Sequence, residues 1–141
     1  MINNPEKPMP CLVSSPPAAD SVTALVHFEA MLRHETDCWD VHESLRSSDA
    51  QFILLDVRGP TAFAAGHIAG AVNLHHREID AERMNAWPAH TLFVVYCAGP
   101  HCNGANRAAI RLASLGRPAK MMIGGLTGWV DEGFRLEKTT A

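Results

Sequence analysis

The sequence predicts an α/β fold with a parallel sheet covered on both faces. Two observations carry that expectation. The runs QFILLDV (51–57) and TLFVVYC (91–97) are short, apolar and bounded by polar residues, as buried strands are. Segments with helical spacing alternate with such runs, and alternation of this kind implies parallel strands joined by helical crossovers.

Residues 1–20 hold five of the nine prolines and show little periodicity, so a disordered or loosely attached arm is expected there. Residues 21–36 read as a helical extension, because Leu25, Phe28, Met31 and Leu32 recur at helical spacing, and Phe28 and Met31 are expected in the core. A folded domain is expected over 37–137, with 138–141 as a tail. It starts with a short helix near Trp39 to Leu45, followed by QFILLDV, a strand ending near Asp56. AVNL (71–74) is a further short strand, and TLFVVYC is the clearest strand of all. ANRAAIRLASL (105–115) places Ala105, Ala108, Ala109, Leu112 and Leu115 on one helical face, closed by Gly116 and Pro118. AKMMI (119–123) is one more strand, and GLTGWVDEGF a closing helical turn.

A length of 141 residues suits one ordinary domain with a real core. A formal charge of −3 gives no general attraction to nucleic acid or anionic lipid. No apolar stretch approaches the roughly 20 residues of a membrane span, and the N-terminus is a poor secretion signal. The four cysteines, Cys11, Cys38, Cys97 and Cys102, are few for a disulfide scaffold. Free thiols in a reducing cytoplasm are therefore expected.

CAGPHCNG (97–104) is the segment with chemistry. Cys97 ends a strand, at the sheet edge where parallel α/β folds bind ligands. The helix that follows directs its free N–H groups and positive dipole end toward the loop. Gly99 and Gly104 permit backbone conformations that let successive N–H groups curl around an anion, and Asn103 is a candidate N-cap. A sulfur so placed is favoured as thiolate, the nucleophilic form. The competing reading is an inert buried cysteine. A zinc site from Cys97, His101 and Cys102 would lack a fourth ligand and a Cys-x2-Cys pair, so no metal is expected.

Three segments in series resemble the rhodanese, or sulfurtransferase, domain family. LLDVRGPTAFAAGHIAGAVNL resembles its first signature, VVYCAGPHCNGANRAA its strand and active-site loop, and MIGGLTGWVDEGF its closing Gly-Gly and Trp motif. The resemblance covers about residues 37–136. It implies a three-layer α/β/α domain with a small, mainly parallel central sheet of about five strands. It also implies a cysteine that takes a sulfane sulfur from a small anionic donor, thiosulfate or a persulfide, and passes it to cyanide or a thiol. No cofactor, nucleic acid or membrane is required, and a homodimer is compatible with it.

The loop departs from the family pattern, since four extra residues and a second cysteine follow Cys97. Anchored on the strand, the catalytic position is Cys97. Anchored on the Cys-x4-Arg spacing to Arg107, it is Cys102. The short distance from Arg107 to Gly116 places Arg107 inside the helix and favours Cys97, with Cys102 as the alternative or a second thiol that accepts sulfur or resolves the persulfide. The candidate substrate-binding residues are Arg58, Ala98, Gly99, His101, Asn103, Gly104 and Arg107, supported by Asp56. For Arg58 the rival is a structural ion pair with Asp56, for Arg107 a surface arginine, and for His101 a solvated histidine. His67, Trp129 and Gly124–Gly125 match structural positions, and His75 and His76 are expected to face solvent. A phosphatase would need Cys-x5-Arg, which is absent. The rival to a transferase is a redox-sensing or regulatory module using the Cys97/Cys102 pair.

Overall fold

A computed structural model describes residue 9 and residues 11–139. The remainder of the proline-rich segment (1–8 and 10) and of the tail (140–141) lies outside the described residues. Contacts divide the chain into two compact units, Met1–Met31 and Leu32–Ala141, and the second holds the whole sheet.

Helix α1 (Ser21–His34) opens on Asp20, whose carboxylate accepts from the Thr23 amide at 3.0 Å. None of its residues is buried. Phe28 and Met31, expected in the core, are 63 and 39% exposed, and Leu25 and Leu32 are exposed beside them. Helical spacing aligns apolar residues along a stripe, but it does not supply a surface to cover that stripe.

The sheet has five strands, β1 (Glu35–Thr36), β2 (Ile53–Asp56), β3 (Val72–Asn73), β4 (Phe93–Tyr96) and β5 (Ala119–Met122), in the spatial order β1-β5-β4-β2-β3. Every pairing is parallel, with Leu55 opposite Val95 and Val95 opposite Met121. The carboxyl ends of β2, β4 and β5 therefore share one edge. Glu35 and Thr36, expected in the helical extension, leave the helix and pair with Met121 and Met122.

Alternation along the central strands divides the core between two faces. Short helices α3 (Pro60–Ala65) and α4 (Ala81–Met84) lie between β2 and β4 in the chain. Leu55, Phe93 and Val95 pack with Ala105, Ala108 and Leu112 of α5 (Gly104–Ser114) and with Ile79 and Met84. Leu54, Val94 and Tyr96 pack with Cys38 and Val41 of α2 (Cys38–Leu45) and with Trp129, which lies on the last helix, Gly125–Asp131. Neighbouring strand residues point to opposite faces, so one apolar run feeds both clusters. This is a three-layer α/β/α domain. Leu115, expected on the buried face of α5, caps the helix and is 38% exposed.

Cys38 is 5% exposed, and its thiol donates to the Ile123 and Gly125 carbonyls at 3.6 Å. Burial first, then the charges of Asp37 and Glu132, push it up to about 11. Burial and nearby Asp56 likewise push Tyr96 upward. Both groups are neutral in the folded protein and would ionise at lower pH once unfolded. The Cys38 contribution is therefore complete below about pH 9 and lost as pH rises toward 11, while that of Tyr96 declines only at higher pH. Urea melts should show Cys38 alone costing about 2 kcal/mol near the top of that window. Cys38→Val should flatten the dependence, and a wild-type stability unchanged across the window would refute the burial account.

Candidate active site

Cys97 follows β4 directly and is 6% exposed, while Cys102 is half-buried. The two are joined as a disulfide with their Cα atoms 6.5 Å apart, within the ordinary range for such a bond. The Gly99 carbonyl accepts from the Cys102 amide at 3.1 Å, and this turn folds the loop back so that the second sulfur meets the first.

Helix α5 begins at Gly104, directly beneath the sulfurs. The Gly104 amide points at the Cys102 sulfur from 3.4 Å. A Cβ on Gly104 would lie 2.7 Å from the Cys97 sulfur, so only glycine lets the sulfur rest on the helix end. A thiolate there faces the positive end of an 11-residue helix. Asn103 occupies the N-cap position, but its side chain makes no cap bond. Its Oδ1 accepts from Arg107 Nε at 3.2 Å instead.

The second wall comes from α6 (Gly125–Asp131), which starts just after β5. The Leu126 and Thr127 amides donate to the Cys97 and Ala98 carbonyls, both at 2.9 Å. The Thr127 hydroxyl donates to the Ala98 carbonyl at 3.0 Å. A Cβ on Gly125 would meet the Cys97 carbonyl oxygen at 2.6 Å, and its φ of +59° suits glycine alone. Cys97, Gly99, Cys102, Met121, Ile123 and Gly125 line a cavity of about 230 Å³, together with neighbours that include Ala105 and Asn106. Among the described residues, no charged side chain lines it.

The structure gathers Cys97, Gly99, Cys102 and Gly104 at one point and leaves other expected residues apart. Asp56 is fully buried and accepts from the Arg58 amide, Nε and NH2, the last at 2.7 Å. The same guanidinium donates to the Gly66 carbonyl at 2.6 Å. Arg58 is thus held in an ion pair at the end of β2 and does not line the cavity. The sheet order explains why: β2 and β5 flank β4 on opposite sides, and the cavity opens on the β5 side. Ala98 and His101 are exposed and lie outside the cavity lining, and Arg107 is exposed on α5. His67 is fixed structurally, stacked on Phe63, with its Nδ1 2.8 Å from the Phe63 carbonyl oxygen and its backbone bridged to Glu137. His75 and His76, expected in solvent, are half-buried and stacked on one another. Among the described residues, no group of three His, Cys, Asp or Glu side chains is placed to hold a metal ion.

Sequence reasoning missed Met121, Ile123 and Gly125 as cavity walls. The available signal was the Gly-Gly pair after a strand, at the same carboxyl edge as Cys97. The parallel α/β domain thus presents a cysteine between a strand end and the positive end of a helix. The family profile described as the rhodanese-like domain matches residues 40–132, and the chain belongs to that family. It is 36% identical over 98 residues to thiosulfate sulfurtransferase GlpE of Pseudomonas entomophila, covering 69% of this chain and 78% of that protein. It is also 35% identical over 98 residues to an HTH-type transcriptional regulator of Mycobacterium tuberculosis. That match covers 64% of this chain, which spans only 43% of the regulator's length. Among solved structures, a Bacillus halodurans protein matches with a TM-score of 0.81 at 31% identity, over 85% of this chain and 88% of that one. The rhodanese-like domain of an Anabaena protein matches with a TM-score of 0.66 at 25% identity, over 74% and 78%. No described helix is long and apolar enough to cross a membrane.

Proposed function

We propose that this chain is a sulfurtransferase that carries a sulfane sulfur on Cys97. The observation that carries the reading is the Cys97 sulfur resting on Gly104 at the start of α5, with a second thiol in bonding reach. In the reduced protein, the Cys97 thiolate attacks the outer sulfur of an anionic donor. With thiosulfate, the S–S bond breaks, sulfite leaves with the electron pair, and Cys97 becomes a persulfide. Cyanide or a thiolate then attacks the outer sulfur, leaving as thiocyanate or a new persulfide and returning the Cys97 thiolate. The helix end stabilises the anionic sulfur at each stage. Cys102 resolves an unused persulfide: its thiolate attacks the Cys97 sulfur, hydrosulfide leaves, and the disulfide forms. An external dithiol reopens it by exchange. No metal or organic cofactor takes part, and a reducing cytoplasm suits such a cycle.

The test is to reduce the protein, load it with thiosulfate and record its intact mass and peptide map. One added sulfur on Cys97, discharged by cyanide as thiocyanate, is the expected result. Ready disulfide formation with no sulfur loading from any donor would instead favour the redox-sensing module.

A further inference from the structure

Beside the sulfur cavity lies a separate groove of about 530 Å³, lined by His76, Arg77, Asn103, Arg107, Ile110 and Arg111. Three guanidinium groups and an imidazole gather there on a chain whose net charge is −3. Among the described residues, none of the three arginines forms a salt bridge, whereas Arg46, Arg58 and Arg83 each do. Two of them are held in place by neutral acceptors. Arg111 NH1 donates to the Arg77 and Ile79 carbonyls at 3.1 and 3.4 Å, tying α5 to the short 3-10 helix His76–Glu78. Arg107 is steadied through Nε by Asn103, which leaves its two terminal nitrogens free. Burial, then His75, Arg77, Arg107 and Arg111, hold His76 below the usual histidine range, as a concentrated positive field would. Guanidinium groups with free planar edges, fixed beforehand, suit carboxylate or phosphate oxygens.

The groove and the cavity share the first turn of α5. Asn103 lines the groove, and Cys102, its chain neighbour, lines the cavity. Among the described residues, no charged side chain lines the cavity itself. We infer that the groove binds the anionic tail of a small thiol, or of its persulfide, that exchanges sulfur in the adjoining cavity. The tail carries at least two negative charges, as carboxylates or phosphates, and its methylenes lie on Ile110. The concave shape, walled by two elements, fits a small molecule better than a flat protein face. The sulfur exchange rests on the proposed transferase activity, whereas the binding of the tail can be measured without it.

Calorimetric titration of the wild-type protein with S-methylglutathione and with S-methyl coenzyme A tests the inference, because these thioethers cannot exchange sulfur. The first supplies carboxylates and the second phosphates, so the arm that binds identifies the source. At least one should bind, with affinity falling as salt rises. Arg77→Glu and Arg107→Glu, both on exposed side chains, should each weaken it by about tenfold. Neutral 2-(methylthio)ethanol should bind no more tightly than to the variants. Absence of binding by both anionic thioethers, or wild-type affinity in both variants, overturns the inference. Arginine-dependent binding in a protein that never loads sulfur would leave the groove intact and defeat the transferase reading instead.

Discussion

Cys97→Ser is expected to lower thiocyanate formation from thiosulfate and cyanide by about a thousandfold or more, because it removes the nucleophile rather than a supporting group. The hydroxyl has no accessible anion at neutral pH, and the helix end that favours a thiolate cannot make up that difference. Serine is close in volume to cysteine, so its contact with Gly104 is preserved and the loss reads as chemistry. Cys102→Ser should stay within about tenfold of wild type in the same assay, since its proposed step follows loading. The second variant should differ elsewhere. After peroxide treatment, the wild type should be restored by dithiothreitol through the Cys97–Cys102 disulfide, while Cys102→Ser should over-oxidise at Cys97 and stay inactive. The opposite pattern, with Cys102→Ser inactive and Cys97→Ser active, would move the nucleophile to Cys102.

The second large effect concerns stability. Asp56 is fully buried, and its carboxylate is satisfied by Arg58 through the backbone amide, Nε and NH2. Arg58→Ala would strand that charge in the core and free the Gly66 carbonyl, at an expected cost of about 3–5 kcal/mol. Much of that cost reflects the charge left behind, so Asp56→Asn combined with Arg58→Met should cost less than the single change. Arg58→Lys should fall between, because an ammonium cannot reproduce the paired donors. Urea midpoints for the four proteins measure this. A fully stable Arg58→Ala with a raised KM for thiosulfate would restore Arg58 to the role of donor ligand.

These two expectations rest on different kinds of information. The placement of Cys97 between a strand end and a helix start was legible because strand, loop and helix are contiguous in the chain, so the helix end must face the strand end. QFILLDV and TLFVVYC were legible as strands for a similar local reason. Strand β1 was missed because two residues carry no periodicity, and its pairing with β5 is entirely non-local. Helices Pro60–Ala65 and Ala81–Met84 were missed because six and four residues are too few to establish a 3.6-residue repeat. The spacing along α1 predicts its helix but not the exposure of Phe28 and Met31, since periodicity records a face without its partner.

The fate of Arg58 depends on which strand lies on which side of β4, and that order is set by packing and crossover handedness across the whole chain. The basic groove has the same origin: His76 and Arg77 reach Arg107 and Arg111 only when the 3-10 turn and α5 fold onto the same face. By itself the sequence determined the α/β class, the family motifs and the strand–loop–helix that holds both cysteines, because each is written in neighbouring residues. Tertiary structure alone decided that Cys102 meets Cys97, that Arg58 serves Asp56, and that four basic side chains converge between α5 and the 3-10 turn. Cys97 and Cys102 are five residues apart and Asp56 and Arg58 two, so local spacing allows those contacts and the fold of the loop and the sheet edge selects them. The groove joins Arg111 to Arg77, 34 residues before it, and only packed layers bring such residues together, which local pattern does not encode.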